Sequence, residues 1–183
     1  NAPTQTGVSR RVGLFNDNDG LYMELKDGEI FCTIRNSLTG LERSVAQSAW
    51  NGDRLDGSGG DFNRSGATLN PTAMNIFAIN YQYLSAGAVN FFSYVNGKLV
   101  LIHTFGNYGE LDRPYMATTK LPFRVEIENT AGGQVGNTDV YTYCAALVSQ
   151  GYNEDIKIPI GYEATKEISS TVEVPVIAFR PTE

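Results

Sequence analysis

The sequence holds one histidine, His103, so any Ser–His–Asp or Cys–His arrangement has to pass through it. It lies in a strand-like run, Leu99-Val100-Leu101-Ile102-His103-Thr104-Phe105, where strict alternation puts it on the face of Leu99 and Leu101. No Gly-x-Ser-x-Gly turn accompanies it, and a single histidine in a strand is more often a hydrogen-bonded structural residue than a base. Cys32 and Cys144 lie far apart and read as two buried free thiols; with a single histidine they do not make a zinc site of the usual spacing. Glu126 and Glu128 share a strand face and are the carboxylates a glycosidase could use. That chemistry needs a second carboxylate about 5–9.5 Å away, and none is specifically placed beside them. Tyr81, Tyr83, Tyr94, Tyr108 and Tyr115 could stack on sugar rings, fill a core or line a subunit contact.

Oxygen ligands for calcium concentrate in Phe15–Gly20 (FNDNDG) and Trp50–Gly57 (WNGDRLDG). Neither fits an EF-hand loop: counted from Gly20, Phe15 falls on the first ligand position and Lys26 on the last. Counted from Gly57, Gly52 and Arg54 fall where ligands belong. Asp and Asn side chains that bond their own backbone in turns explain the same residues, leaving an irregular calcium site as the alternative. The Gly57–Gly60 stretch is not a phosphate-cradling loop, because no Lys-Ser/Thr helix follows it. The reading is of no catalytic set, no cofactor and no metal.

The elements that would position these residues are strands. Aromatic residues make up 11% and charged residues 19% of the chain, a balance that suits half-buried β surfaces better than helices. Strand signals cover Arg11–Phe15, Leu21–Leu25, Glu29–Arg35, Glu42–Gln47, Asn75–Leu84, Ala88–Val95, Lys98–Phe105, Phe123–Glu128, Asp139–Gln150, Ile156–Ile160 and Thr171–Phe179. Lys26-Asp27-Gly28 and Asn96-Gly97 read as hairpin turns. The expected fold is all-β: an antiparallel β-sandwich, jelly-roll-like, in one domain over residues 1–183, with 1–9 as an extended arm. The chain begins with Asn1 and reads as a processed product or a piece of a longer protein. A net charge of −6 without a basic face argues against nucleic acid, and no apolar run reaches membrane-spanning length.

Gln47–Gly60 interrupts this regularity and carries the only tryptophan. Asn51-Gly52 and Asp56-Gly57 are turn dipeptides, whereas Trp50 carries about 150–250 Å² that favours burial. A long loop stapled to the domain by Trp50, with Leu55 as a second anchor, satisfies both.

Taken in order, several segments resemble a β-rich domain of tailed-bacteriophage structural proteins, notably those of large phages and cyanophages. They are RRVGLFNDNDGLYMEL, SVAQSAWNGDRLDG, SGATLNPTAMNIFAINYQYL, GAVNFFSYVNGKLVLIHTF, PYMATTKLPFRVEIENT and CAALVSQGY, closing on AFRP. The family's Gly-x-Gly-x-Val turn reads here Ser85-Ala86-Gly87-Ala88-Val89, and its Glu-Gly-Gly segment reads Gln150-Gly151-Tyr152. The resemblance implies a non-enzymatic virion component: capsid decoration, fibre, tail or baseplate, assembled in the host cytoplasm. Its partners would be other virion proteins and copies of itself. Trp50, Asn51, Asp53, Leu55, Asp56 and Gly57 become a loop signature, with Arg124 expected to hold Asp53 or Asp56. The alternative is a carbohydrate-binding module for host surface glycans, using Tyr108 and Tyr115.

Overall fold

The computed structural model describes residues 6–82, 86–118, 120–129, 139–148, 160–161 and 174–179, the last two stretches by backbone alone. The strands are β1 (Val8–Phe15), β2 (Gly20–Lys26), β3 (Glu29–Asn36), β4 (Leu41–Ala46), β5 (Phe77–Tyr81), β6 (Val89–Val95), β7 (Lys98–Phe105), β8 (Phe123–Asn129), β9 (Cys144–Ala145), β10 (Ile160–Gly161) and β11 (Val174–Phe179). One 3-10 turn, Gln47–Ala49, follows β4. The strands form a six-stranded sheet in the order β11-β8-β1-β2-β3-β4, a three-stranded sheet β5-β6-β7 and a small β10-β9 ribbon. All pairs are antiparallel. The result is an all-β sandwich. β1 to β4 and β5 to β7 each form a meander, while β8 returns beside β1 and β11 beside β8; the jelly-roll order expected from the sequence does not appear among the described strands.

Hairpin chemistry sets much of this order. Asp27 and Gly28 (φ 51° and 85°), and Asn96 and Gly97 (φ 48° and 80°), take the paired positive φ of tight two-residue turns. Val8 and Ser9, expected in an N-terminal arm over 1–9, instead pair with Asn129 and Glu128 of β8. Among the described residues of the predicted Asp139–Gln150 strand, 139–148, only Cys144–Ala145 lies in a ladder. Both cysteines are free, but only Cys32 is buried; Cys144 is exposed. The predicted strand over Ile156–Ile160 lies outside the described residues except for its last position.

Alternation divides the large sheet into two unlike faces. Leu21, Met23, Ile30, Cys32 and Ile34 turn inward and share one core cluster with Val89, Phe91, Ile102 and Phe105 of the small sheet. The outward face is buried too, but it is ionic. Arg11 Nε bonds Glu24 at 2.9 Å, and its other nitrogens reach Glu126 at 2.8 Å and Glu128 at 2.7 Å. Glu126 also meets Arg124, which bonds Asp17 at 2.5 Å. Burial opposes the charge on Arg11, but Glu126, Glu24, Tyr22 and Glu128 together raise its pKa above the ordinary arginine value.

Two glycine–aromatic pairs seat this network. Gly13 lies opposite Tyr22 and Gly20 opposite Phe15, and neither glycine has room for a Cβ. The two rings lie 5.0 Å apart in the space that side chains would occupy. Arg11 and Arg35 stand 6.0 and 5.2 Å from the Tyr22 ring, and Arg124 stands 5.3 Å from Phe15. Guanidinium groups therefore roof the aromatics, gaining cation–π attraction as well as ion pairing.

Truncating Arg11 leaves Glu24 and Glu126 buried without their shared cation. Arg11→Ala is expected to lower stability by about 3–5 kcal/mol in chemical denaturation. Arg64→Ala, which breaks an exposed 3.9 Å pair with Asp61, should change it by less than about 1 kcal/mol.

Candidate functional site: the loop that closes the small sheet

The three-stranded sheet needs something on the outer side of β7, because an open strand presents a row of backbone groups to any passing chain. Asn51–Asp53 supplies it. Gly52 N–H donates to Ile102 C=O at 3.0 Å, and Asp53 N–H donates to Leu101 C=O at 2.9 Å. The Asn51 amide extends this pairing by imitating a peptide group. Its Nδ2 donates to Thr104 C=O at 2.8 Å, and its Oδ1 accepts from Thr104 N–H at 2.8 Å. A Cβ on Gly52 would come within 2.5 Å of the Leu101 carbonyl oxygen, so only glycine permits this approach.

The residues around that contact hold the loop in place. Trp50 is fully buried between the sheets, and its indole N–H donates to Val45 C=O at 3.1 Å. Leu55 is also in the core, at a positive φ of 50°. That backbone strain is stabilised from both sides: Leu55 N–H donates to Asp53 Oδ1 at 3.0 Å, while Leu69 N–H donates to Leu55 C=O at 2.7 Å. Asp53 further accepts from Asn63 Nδ2 at 3.0 Å and from Ser65 N–H at 2.7 Å. It thus organises the loop from within. Asp56 Oδ1 accepts from Ser58 N–H and Oγ at 2.9 and 2.6 Å. Gly57, at φ 74°, abuts Thr68.

Arg124 does not join this loop. The expected pairing with Asp53 or Asp56 is replaced by Asp17 and Glu126, for a reason of strand parity. Arg124 shares the outward face of the large sheet with Glu126, whereas Asp53 works at the edge of the small sheet. Glu126 is correspondingly buried among arginines rather than facing solvent. The oxygen-rich turn at Phe15–Gly20 is likewise engaged internally. Asn16 Oδ1 accepts from Asn18 and Asp19 N–H, each at 2.8 Å. The Asp19 carboxylate holds Ser37 and Ala117. Tyr115 is buried and its hydroxyl donates to Gln82 C=O, so it is a core residue and not a surface contact. Tyr108 is 92% exposed.

His103 departs from simple alternation. It pairs with Phe91, while Phe92 pairs with Leu101, leaving Ile102 as the extra residue of a β-bulge. Both Ile102 and His103 are consequently buried, and Leu99 and Leu101 face outward. His103 Nδ1 accepts Asn51 N–H at 3.3 Å, which makes it a further support for the loop. Its ring meets Phe105 edge-on at 4.5 Å. A wide-mouthed hollow of about 450 Å³ lies here, lined by Arg43, Ser44, Asn51, His103, Thr104 and Glu110. Among the described residues, no hydroxyl, thiol or carboxylate hydrogen-bonds His103, so no nucleophile–base pair is assembled. Burial, then the charge of Arg43, push the imidazole down to about 4.

No protein-family model matches the chain, and neither a curated protein nor a solved structure matches it.

Trp50→Ala should lower stability by about 3–5 kcal/mol in denaturant titration, the range for a buried large aromatic. His103 gives a second expectation. The unfolded chain takes up its imidazole proton near 6.5, the folded chain only near about 4, so stability falls as pH drops through this window. Relative to His103→Gln, which keeps an acceptor for Asn51, the parent protein should lose about 3 kcal/mol between pH 7 and 4. Parallel curves for the two proteins would remove His103 as the cause.

Proposed function

We propose that the chain is a non-enzymatic structural component of a bacteriophage particle, working through protein–protein contacts. The observation that carries this reading is the outward face of the small sheet. Ile76, Tyr94, Leu99 and Leu101 are 64%, 49%, 52% and 40% exposed there, around a half-buried Phe92. Pairing sets Tyr94 beside Leu99 and Phe92 beside Leu101, so these side chains adjoin in one patch. Ala78, Asn80, Asn90 and Thr104 complete the face, and none of its residues is charged. A contiguous apolar surface without charge at its centre is what a buried protein contact requires.

The ordered resemblance to phage structural proteins supplies the setting: decoration or fibre on the capsid, or a part of the tail or baseplate. The engagement of the Trp50 loop in the fold, and the use of the His103 ring as an acceptor for Asn51 N–H with no nucleophile bonded to it among the described residues, favour a structural role over catalysis. A glycan-binding role is less well supported, because Tyr108 loses its expected companion Tyr115 to the core.

Leu101→Lys tests the reading on a position already exposed to solvent. The variant should keep its stability within about 0.5 kcal/mol, as surface changes do. Substituted for the parent chain during particle assembly, it should be missing from purified virions on a gel. Retention at full copy number, or failure of the parent chain itself to enter particles, sinks the proposal.

A further inference from the structure

The six-stranded and three-stranded sheets have four outer edges between them, and three are protected. The β7 edge is paired by Asn51–Asp53. The β4 edge carries Glu42 and Arg43, and the β11 edge contains Pro175 and a register shift. Charges, proline and irregular pairing are the usual defences of an edge strand. The remaining edge, β5, reads Phe77-Ala78-Ile79-Asn80-Tyr81, with no charge, no proline and regular pairing to β6.

The hydrogen bonds at the ends of the β5–β6 ladder fix which backbone groups are left outward. Tyr94 N–H donates to Ile76 C=O at 2.8 Å, and Gln82 N–H donates to Ala88 C=O at 3.4 Å. Residues 76, 78, 80 and 82 therefore bond towards β6, while Phe77, Ile79 and Tyr81 direct N–H and C=O to the opposite side. Among the described residues these outward groups have no backbone partner.

We propose that β5 is the joint between two copies of this chain, pairing antiparallel with its own equivalent to build one continuous six-stranded sheet. The sequence of β5 suits a two-fold axis at Ile79. Ile79 would face Ile79 of the partner subunit, and Phe77 would face Tyr81 of the partner subunit. All three outward-bonding residues then fall on hydrogen-bonded pairs, with an aromatic pair at each end. Ala78 would oppose Asn80 of the partner subunit at the intervening non-hydrogen-bonded pair.

A second copy fits this edge better than a charged partner. With a net charge of −6, the chain resists approach to its own kind over most of its surface, but β5 and the face beside it are neutral. Joining two β5 strands also makes the two apolar outward faces continuous. That extends each modest patch towards the roughly 800 Å² per partner of a standard interface. The inference rests on the reading of this protein as an assembling component and names one of its contacts.

Sedimentation equilibrium of the full chain tests the joint. The parent protein should be dimeric. The double substitution Ala78→Lys with Asn80→Lys sets like charges opposite each other on the outward face and should weaken the dimer by about tenfold or more. Leu101→Lys should leave the dimer intact. A parent protein that is monomeric, or a dimer unaffected by the double substitution, overturns the joint. The particle-incorporation test of Leu101→Lys is scored separately, so either idea can fail alone.

A second measurement covers the case in which the lysine variant does not fold. In a Cys144→Ser background, Ala78→Cys protein mixed with Asn80→Cys protein should form a disulfide-linked dimer on mild oxidation. Neither should do so alone, because only the mixed pair is directly opposed, at about 4.5 Å between Cα atoms. Cross-linking of either single variant alone, or none in the mixture, overturns the proposed register.

Discussion

The two hydrogen bonds between the Asn51 amide and the Thr104 backbone are the contact on which the small sheet depends. A side chain here does the work of a peptide group, at a point where no strand is present to do it. The arrangement requires Gly52 next to it, for close approach, and Trp50 before it, to fix the loop in the core. It also requires Asp53 after it, because the chain must turn back through the strained Leu55 without leaving polar groups bare. The signature residues are therefore one mechanical device, each member answering a demand created by its neighbour. His103 belongs to the device as an acceptor, which accounts for a buried neutral imidazole without invoking catalysis.

The large sheet solves a different problem. Its outward face holds carboxylates and guanidinium groups at low exposure, a costly combination unless each charge is met by an opposite one. Arg11 spans β8, β1 and β2 by bridging Glu126, Glu128 and Glu24, and it ties together strands distant in sequence. Such a lattice gains less from desolvation than apolar packing does, but it constrains register. A one-residue slip of β1 towards Val12 would leave the carboxylates without this cation, and a slip in either direction would exchange the core-facing residues of β1 for outward-facing ones.

Much of the fold was readable because hairpin turns and period-two alternation are local. Lys98–Phe105 was bounded correctly, as Asn96-Gly97 announced its start. The burial expected of Trp50 and Leu55 followed from their size and apolarity amid turn residues, and both are in the core. Three features were hidden for physical reasons. The bulge at Ile102 depends on the partner strand, so alternation in β7 alone placed His103 on the wrong face. The partner of Arg124 depends on which sheet face β8 presents, a property of the whole sheet order rather than of any segment. Tyr115 looked available because it follows Arg113-Pro114 in a loop, yet it packs into the core and bonds Gln82. The order of Gly13 and Gly20 with Tyr22 and Phe15 was a signal of buried aromatics on the outward face, visible only once the strands were aligned.

The bulge in β7 also bears on how this protein can change over time. Upstream of Ile102 the strand shows Leu99 and Leu101 to the exterior; beyond it, His103 and Phe105 turn to the interior. One inserted residue thus separates two phases of the same alternating pattern. Loss of Ile102 would bring the two halves into one regular alternation, but it would remove the carbonyl that accepts Gly52 N–H and a fully buried core side chain, so the loop would lose its anchor on the strand. Substitution in this strand is cheap at its outward positions, whereas a change in its length is not. Lineages of such a protein should therefore diversify their contact surface by exchanging side chains on β7 while keeping its residue count fixed.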